Sequence, residues 1–336
     1  MLAVVTAIVF SAFRGEEKGA LPVPKGWPKP AYDFDKNPMT PVKVALGRKL
    51  FFDPILSKDA TISCASCHLP QTAFAHTDHD LSHGIADRIG KRNSPVLMNL
   101  AWSNSFMWDG SVHHLDVQAL APISAHDEMD ETMEGVVRKL GAAPEYPALF
   151  AAAFGSAEPT GEHTLKAIST FLCTLVSSDS KYDKVQRGEA VFNEWETHGY
   201  ALFKTHCASC HREPLFTNGS FENNGLPVDT TLNDVGRMKI SGQESDRQKF
   251  KVPTLRNVEV SYPYMHDGRF KNLAMVVFHY TEGIHQSSTL SPHLRKGIRL
   301  AEDEKRDLVL FLKTLTDETF LTNPAFQPTT SARNTP

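Results

Sequence analysis

Residues 64–68 read Cys64-Ala65-Ser66-Cys67-His68, and residues 207–211 repeat the same five as Cys207-Ala208-Ser209-Cys210-His211. Cys-x-x-Cys-His is the pattern of covalent c-type haem attachment. The two thiols add across the haem vinyl groups, and the adjoining histidine falls under the iron as its proximal ligand. A shared zinc site would need the two Cys-x-x-Cys pairs close together, commonly separated by roughly 15–20 residues. Here about 140 residues separate them, and a histidine follows each pair. A thioredoxin-like redox motif would require neither the histidine nor the second copy. The pattern therefore predicts two covalently bound c-type haems, on His68 and on His211. The fifth cysteine, Cys173, lies on an apolar helical stripe and reads as a buried core thiol.

A chain of 336 residues has room for two domains, and one motif falls in each half. The net charge of −4 gives no basic field for nucleic acid. Residues 2–13 (LAVVTAIVFSAF) form an apolar run too short to span a bilayer comfortably and of signal-peptide length. Haem attachment normally takes place outside the cytoplasm, so we expect an exported, periplasmic protein, with residues 1–20 as a signal or anchor.

Helical spacing is predicted for Pro41–Phe52, Glu128–Leu140, Gly161–Leu175, Lys184–Thr205, Leu273–Thr281 and Glu302–Leu315. Long non-helical stretches, 69–95 and 212–253, follow the two motifs, and loops of that length are uncommon unless functional. Alternating strand patterns are scarce. The expected fold is mainly α, with two cytochrome c-like haem domains and long haem-wrapping loops. The first domain would cover 21–177 and the second 178–322, with a polar, frayed tail over 323–336. No repeat other than the haem motif is apparent.

The segments LGRKLFFDPILSKDATISCASCH, GKRNSPVLMNLAW, FMWDG and FKVPTLRNVEVSYPYMHDGRF resemble the bacterial di-haem cytochrome c peroxidases, in order and spacing, over roughly residues 40–315. The resemblance implies a peroxide-reactive haem on Cys64, Cys67 and His68, and an electron-relaying haem on Cys207, Cys210 and His211. Trp108 would pass electrons between them. Glu128 would handle the protons of peroxide cleavage, with Gln118 orienting the peroxide. Asp127 and Asp130 compete with Glu128, and the cluster also reads as a negatively charged helix start. Of His76, His79 and His83 on the following loop, His83 is nearest the place of the family's resting-state distal ligand. His266 would lie near the propionates of the second haem. Calcium is implied between the domains, held by the Asn93 side chain and the carbonyls of Ser261 and Pro263.

One departure stands out. Where the usual peroxidase carries an axial Met for the second iron, this chain has Tyr280, while Met275 is out of register by five residues. A tyrosine there resembles the methylamine-utilisation branch of the family, and an anionic phenolate stabilises ferric and higher states. That branch also has a surface Trp two residues before the second haem motif. Here that position is Thr205, and Trp195 does not substitute for it.

The leading expectation is reduction of hydrogen peroxide to water with electrons from a small c-type cytochrome or cupredoxin. Peroxide-dependent long-range oxidation of a protein or small molecule is the second expectation, and a non-catalytic electron carrier the third. The family often dimerises, so a homodimer is a further possibility.

Overall fold

The computed structural model describes residues 21–328. Twelve helical segments are named here in chain order: α1 (Pro41–Phe52), α2 (Cys64–Cys67), α3 (Leu120–Ser124), α4 (Met133–Ala142), α5 (Tyr146–Phe154), α6 (Gly161–Thr174), α7 (Lys181–Gln186), α8 (Glu194–His206), α9 (Met238–Ser241), α10 (Leu273–Phe278), α11 (Glu302–Lys313) and α12 (Glu318–Leu321). The regular strands are a two-residue antiparallel pair, β1 (Phe221–Glu222) and β2 (Phe250–Lys251). The expected mainly α character is observed.

Local chemistry sets the helix ends. Thr40, Thr132, Thr160 and Asn193 each accept a hydrogen bond from a backbone N–H in the first turn of α1, α4, α6 and α8. Such caps satisfy donors that the helix itself leaves open.

Two helix expectations are corrected. Glu128 is not helical: α4 begins five residues later, after Asp130 takes a positive φ of 49° and Thr132 caps the new helix. The run 184–205 is also two helices. The chain turns at Gly188, whose φ is 76°, and restarts at the capping box of Asn193 and Glu196.

Buried apolar side chains fall into two clusters. The first includes Leu46, Leu50, Phe51, Phe74, Phe150 and Phe171; the second includes Tyr182, Phe203, Phe216, Phe311 and Leu315. Each such side chain contributes about 1.5–3 kcal/mol when fully buried. Cys173 lies in the first cluster and is 1% exposed; burial pushes its thiol pKa up.

The same device builds both clusters. In α1, a Cβ at Gly47 would stand 1.9 Å from the carbonyl oxygen of Ala167 in α6. In α8, a Cβ at Gly199 would stand 2.0 Å from the carbonyl oxygen of Asp307 in α11. Only glycine permits either backbone approach.

The segment read as a frayed tail is ordered as far as it is described. Phe326 packs with Phe320 in the first cluster, and Arg48 Nε donates to the carbonyl of Gln327 at 2.8 Å. A buried polar hub ties the halves together: Ser177 Oγ donates to Asp317 (3.0 Å) and accepts from Asn257 (2.9 Å), while Ser177 N donates to Asn99 (3.0 Å). Among the described residues, no helix is long and apolar enough to cross a membrane. The expected leader lies outside them.

Candidate functional site: two haem motifs and a cavity at the second

Each Cys-x-x-Cys-His motif follows a glycine-packed helix, directly after α8 and through a short loop after α1. The first motif forms α2, and His68 N donates back to the carbonyl of Cys64 at 3.0 Å. His211 N donates in the same way to Cys207 at 2.9 Å. This one-turn fold brings both thiols and the imidazole of each motif together. Cys64 and Cys207 are held against the apolar interior, where burial disfavours an ionised sulfur.

The histidines are prepared for metal. His68 Nδ1 lies 2.7 Å from the carbonyl of Phe74, and His211 Nδ1 lies 3.1 Å from the carbonyls of Phe216 and Pro253. A carbonyl partner requires Nδ1 to carry the proton, which leaves Nε2 as the metal-binding nitrogen. Burial lowers the pKa of His68 to about 4 and lowers that of His211, so both rings are neutral. A cavity of about 340 Å³ adjoins Cys207, Cys210, His211 and Tyr280 and extends to Trp108 and Gln118. Its thiols, neutral imidazoles and apolar lining fit a c-type haem.

Glu128 sits in the turn between α3 and α4, beside the first motif. Its charge raises the pKa values of both Cys64 and Cys67. Burial, reinforced by Asp127, lifts its own pKa to about 7. Asp130 is different: hydrogen bonds from Arg88 and Lys58 hold its carboxyl well below the usual range, so it is a fixed anion. The position of Glu128 is set by backbone contacts. Ile85 N donates to its carbonyl at 2.8 Å, and Gly84 packs so closely that a Cβ would lie 2.2 Å from the carbonyl oxygen of Asp127.

His83 therefore runs alongside Glu128. Its carbonyl faces Cys67 Sγ at 3.5 Å, and its ring stacks on that of His79 at 4.0 Å, which stacks in turn on His76. His76 is the buried member of this ladder, 8% exposed, and its Nδ1 has no hydrogen-bond partner. Gln118 lines the cavity, with Nε2 3.8 Å from Met107 Sδ.

Trp108 and His266 lie where the halves meet. Trp108 Nε1 donates to the carbonyl of Asn93 at 2.8 Å. Asn93 N donates to the carbonyl of His266 (2.7 Å), and Lys251 N donates to the carbonyl of Trp108 (2.7 Å). The His266 ring stacks on Phe250 at 3.7 Å, and burial lowers its pKa to about 4.

These reciprocal bonds expose a repeat that the sequence reading missed. NSPVLMN at 93–99 corresponds to KVPTLRN at 251–257, and FMWDG at 106–110 to YMHDG at 264–268. Asn99 and Asn257 both have left-handed φ, as do Met107 and Met265. Trp108 thus corresponds to His266, and Asn93 to Lys251. The signal was present as Pro-x-Leu-x-Asn and Met-x-Asp-Gly in both halves, hidden by substitutions at the functional positions.

Tyr280 lies in a π-helical turn after α10 (279–283), a form frequent at functional sites. It faces the cavity; burial raises its phenol to about 12, and Asn224 Nδ2 donates to its oxygen at 3.5 Å. Met275 is 40% exposed, out on the surface. Met265 is a thioether that sequence register did not single out: it lines the same cavity, and Asn224 Nδ2 lies 3.4 Å from its Sδ.

Asn93, Ser261 and Pro263 also line this cavity. Asn93 spends its Nδ2 donor on the carbonyl of Asp80 at 3.0 Å, which leaves Oδ1 for a cation. Thr205 is exposed on α8, and Trp195, at the start of that helix, is 52% exposed.

Residues 41–191 match the family described as di-haem cytochrome c peroxidase, and residues 197–316 match cytochrome c. The methylamine utilization protein MauG of Methylorubrum extorquens is 42% identical over 294 residues, covering 84% of this chain and 80% of the relative. The cytochrome c551 peroxidase of Nitrosomonas europaea is 36% identical over 296 residues, covering 84% and 85%. The crystal structure of a MauG-like protein associated with microbial copper homeostasis superposes with a TM-score of 0.83 at 32% identity, covering 91% of this chain and 98% of that one. With paired haem motifs and this breadth of similarity, the chain belongs to the di-haem cytochrome c peroxidase family of oxidoreductases, whose members carry two c-type haems.

Proposed function

We propose that this protein reduces hydrogen peroxide to water, drawing single electrons from a small periplasmic c-type cytochrome or cupredoxin. The observation that carries the reading is Glu128, a half-buried carboxyl beside the first haem motif whose pKa burial lifts to about 7. A group balanced near neutrality can take a proton from one peroxide oxygen and return it to the other as water leaves. Asp130, held ionised by Arg88 and Lys58, cannot perform that exchange.

Cys64, Cys67 and His68 would hold the first haem; Cys207, Cys210 and His211 would hold the second, with Tyr280 or, in competition, Met265 as a further iron ligand from the cavity wall. The haems, held by these residues, would supply the redox chemistry of peroxide reduction. Gln118 would orient the peroxide by its amide. Trp108, hydrogen-bonded to both halves, would carry electrons between them. His266 would adjoin the second haem's propionates. His83 runs beside Glu128, and its stacking on His79 would have to be given up for it to serve as a distal ligand. Asn93, with the carbonyls of Ser261 and Pro263, would hold calcium through oxygen ligands.

A second reading is favoured by Tyr280 together with the likeness to the methylamine utilization protein. In that reading the equivalents leave by long-range oxidation of another protein or a small molecule. Exposed Thr205 offers no aromatic stepping stone beside the second motif.

Stopped-flow mixing of the oxidised holoprotein with peroxide and a reduced small c-type cytochrome separates the readings. Rapid cytochrome oxidation is expected. Peroxide consumption without it would favour the second reading, and no reaction even after half-reduction would overturn both. Tyr280→Phe should change the second haem's visible spectrum; an unchanged spectrum would rule out Tyr280 as an iron ligand.

A further inference from the structure

The reciprocal bonds at the domain contact make Asn93 and Lys251 equivalent: each donates its backbone N–H to the residue that faces it from the other half. Their side chains differ in charge. Both residues line the same cavity, Asn93 with a side chain that ends in a neutral amide and Lys251 with one that ends in an ammonium.

That ammonium contrasts with the guanidinium groups of Arg92 and Arg256. Arg92 is paired with Asp109 and Asp234, and Arg256 with Asp183. Among the described residues no carboxylate lies within ion-pairing distance of Lys251. Its Nζ donates to the carbonyl of Ser105 and to Ser103 Oγ (3.3 Å), and lies 5.7 Å from the Phe106 ring centroid. Neutral acceptors satisfy protons but leave the charge uncompensated, and an uncompensated buried charge is costly. Burial accordingly draws its pKa down to about 8. A fold that keeps such a group at the wall of a haem-sized cavity implies an anion from the cavity's occupant.

We propose that Lys251 is the built-in counter-cation of this interface, pairing with a propionate carboxylate of a c-type haem in the cavity beside Cys207, Cys210 and His211. The proposal rests on the haem reading of that cavity. A propionate is the anionic part of an otherwise apolar ring, so its carboxylate belongs at the cavity's cationic wall. The two equivalent positions then do different work: the Asn93 amide accepts a cation from solution, and Lys251 supplies a cation of its own. Because Lys251 N also holds the carbonyl of Trp108, the pair would fix haem and Trp108 to one short strand, β2. Lys251 is thus a positioning residue that also sets potential, since a nearby positive charge favours the reduced haem.

The test uses the holoprotein with Lys251→Met, Lys251→Gln and Lys251→Arg, read by spectroelectrochemical potentials and by resonance Raman bands of the haem propionates. Met and Gln should lower the potential of one haem and shift its propionate band, and Arg should restore both. Restoration by Gln as well as Arg would assign Lys251 to hydrogen-bonding Ser105 and overturn the proposal, as would unchanged potentials in all three variants. If Met and Gln fail to hold haem, retention by Arg supports the charge and loss in Arg refutes it. Covalent haem content of the unmodified protein is measured separately, so failure of the haem reading is not confused with failure of the pairing.

Discussion

The two halves attach haem with the same five residues and share a framework around them, yet differ at the side chains that carry the chemistry. The first half has Glu128 beside its cysteines, Trp108 at the contact and neutral Asn93 on the cavity wall. The second has Tyr280 facing its cavity, His266 where Trp108 would be and the cation Lys251 where Asn93 would be. The core differs in the same way: Met98 in the first half corresponds to Arg256 in the second, which is 0% exposed and bound bidentately to Asp183 at 2.8 Å. Attachment is generic chemistry and tolerates duplication. Proton handling and potential depend on a few side chains, and those are where the copies part.

That contrast can be broken first by deleting one haem at a time. Replacing Cys64 and Cys67 by Ser should halve the covalent haem and abolish the reaction with peroxide, leaving the second haem's spectrum intact. Replacing Cys207 and Cys210 should spare the reaction with peroxide but stop turnover with the donor. Equal losses of peroxide reactivity in the two double variants would erase the division of labour.

Glu128→Gln should slow the peroxide reaction by about 10²–10⁴. The pH dependence has a definite sign. The proton is accepted by the ionised carboxylate, and its pKa is raised to about 7, so the wild-type rate should climb through that pH and level off above it. An ordinary surface carboxylate would already have levelled near pH 5. The Gln variant should lack the rise, and a persisting rise would point to another base.

Asp183→Asn tests the contrast in the core. Burial opposes ionisation of Asp183, but the hydrogen bonds and charge of Arg256 outweigh it and keep its pKa low. Removing the charge strands a buried guanidinium, and a loss of about 3–5 kcal/mol is expected in denaturant unfolding. Smallest is the effect that the halves should share. Gly47→Ala and Gly199→Ala each gain about 1 kcal/mol of helix propensity, but force a methyl into a backbone carbonyl. A net loss of about 1–3 kcal/mol is expected for each, read as similar drops in Tm.

Much of the site was legible because its chemistry is local. Cys64–His68 and Cys207–His211 are contiguous, and the caps at Thr40 and Thr160 mark helices that the spacing predicts. Family resemblance points to Glu128 but not to its conformation. Helical periodicity does not register the left-handed Asp130 that keeps the carboxyl in a turn. The second repeat escaped notice because the aligned residues of greatest interest are the dissimilar ones. Met265 was overlooked because register counts residues along the chain, whereas axial competition depends on which side chains enter one cavity.

The sequence by itself determined two covalent haems, a mainly α chain and the family, since these follow from contiguous motifs and their periodic surroundings. Only the tertiary structure decided that Asn93 and Lys251 face one cavity as equivalents, that Met275 is outside it, and that Phe326 closes on the first core rather than fraying. Contacts between residues more than a hundred positions apart leave no periodic trace. Burial then sets the charge state of Glu128 and Lys251, because the cost of desolvation depends on what surrounds a group in space.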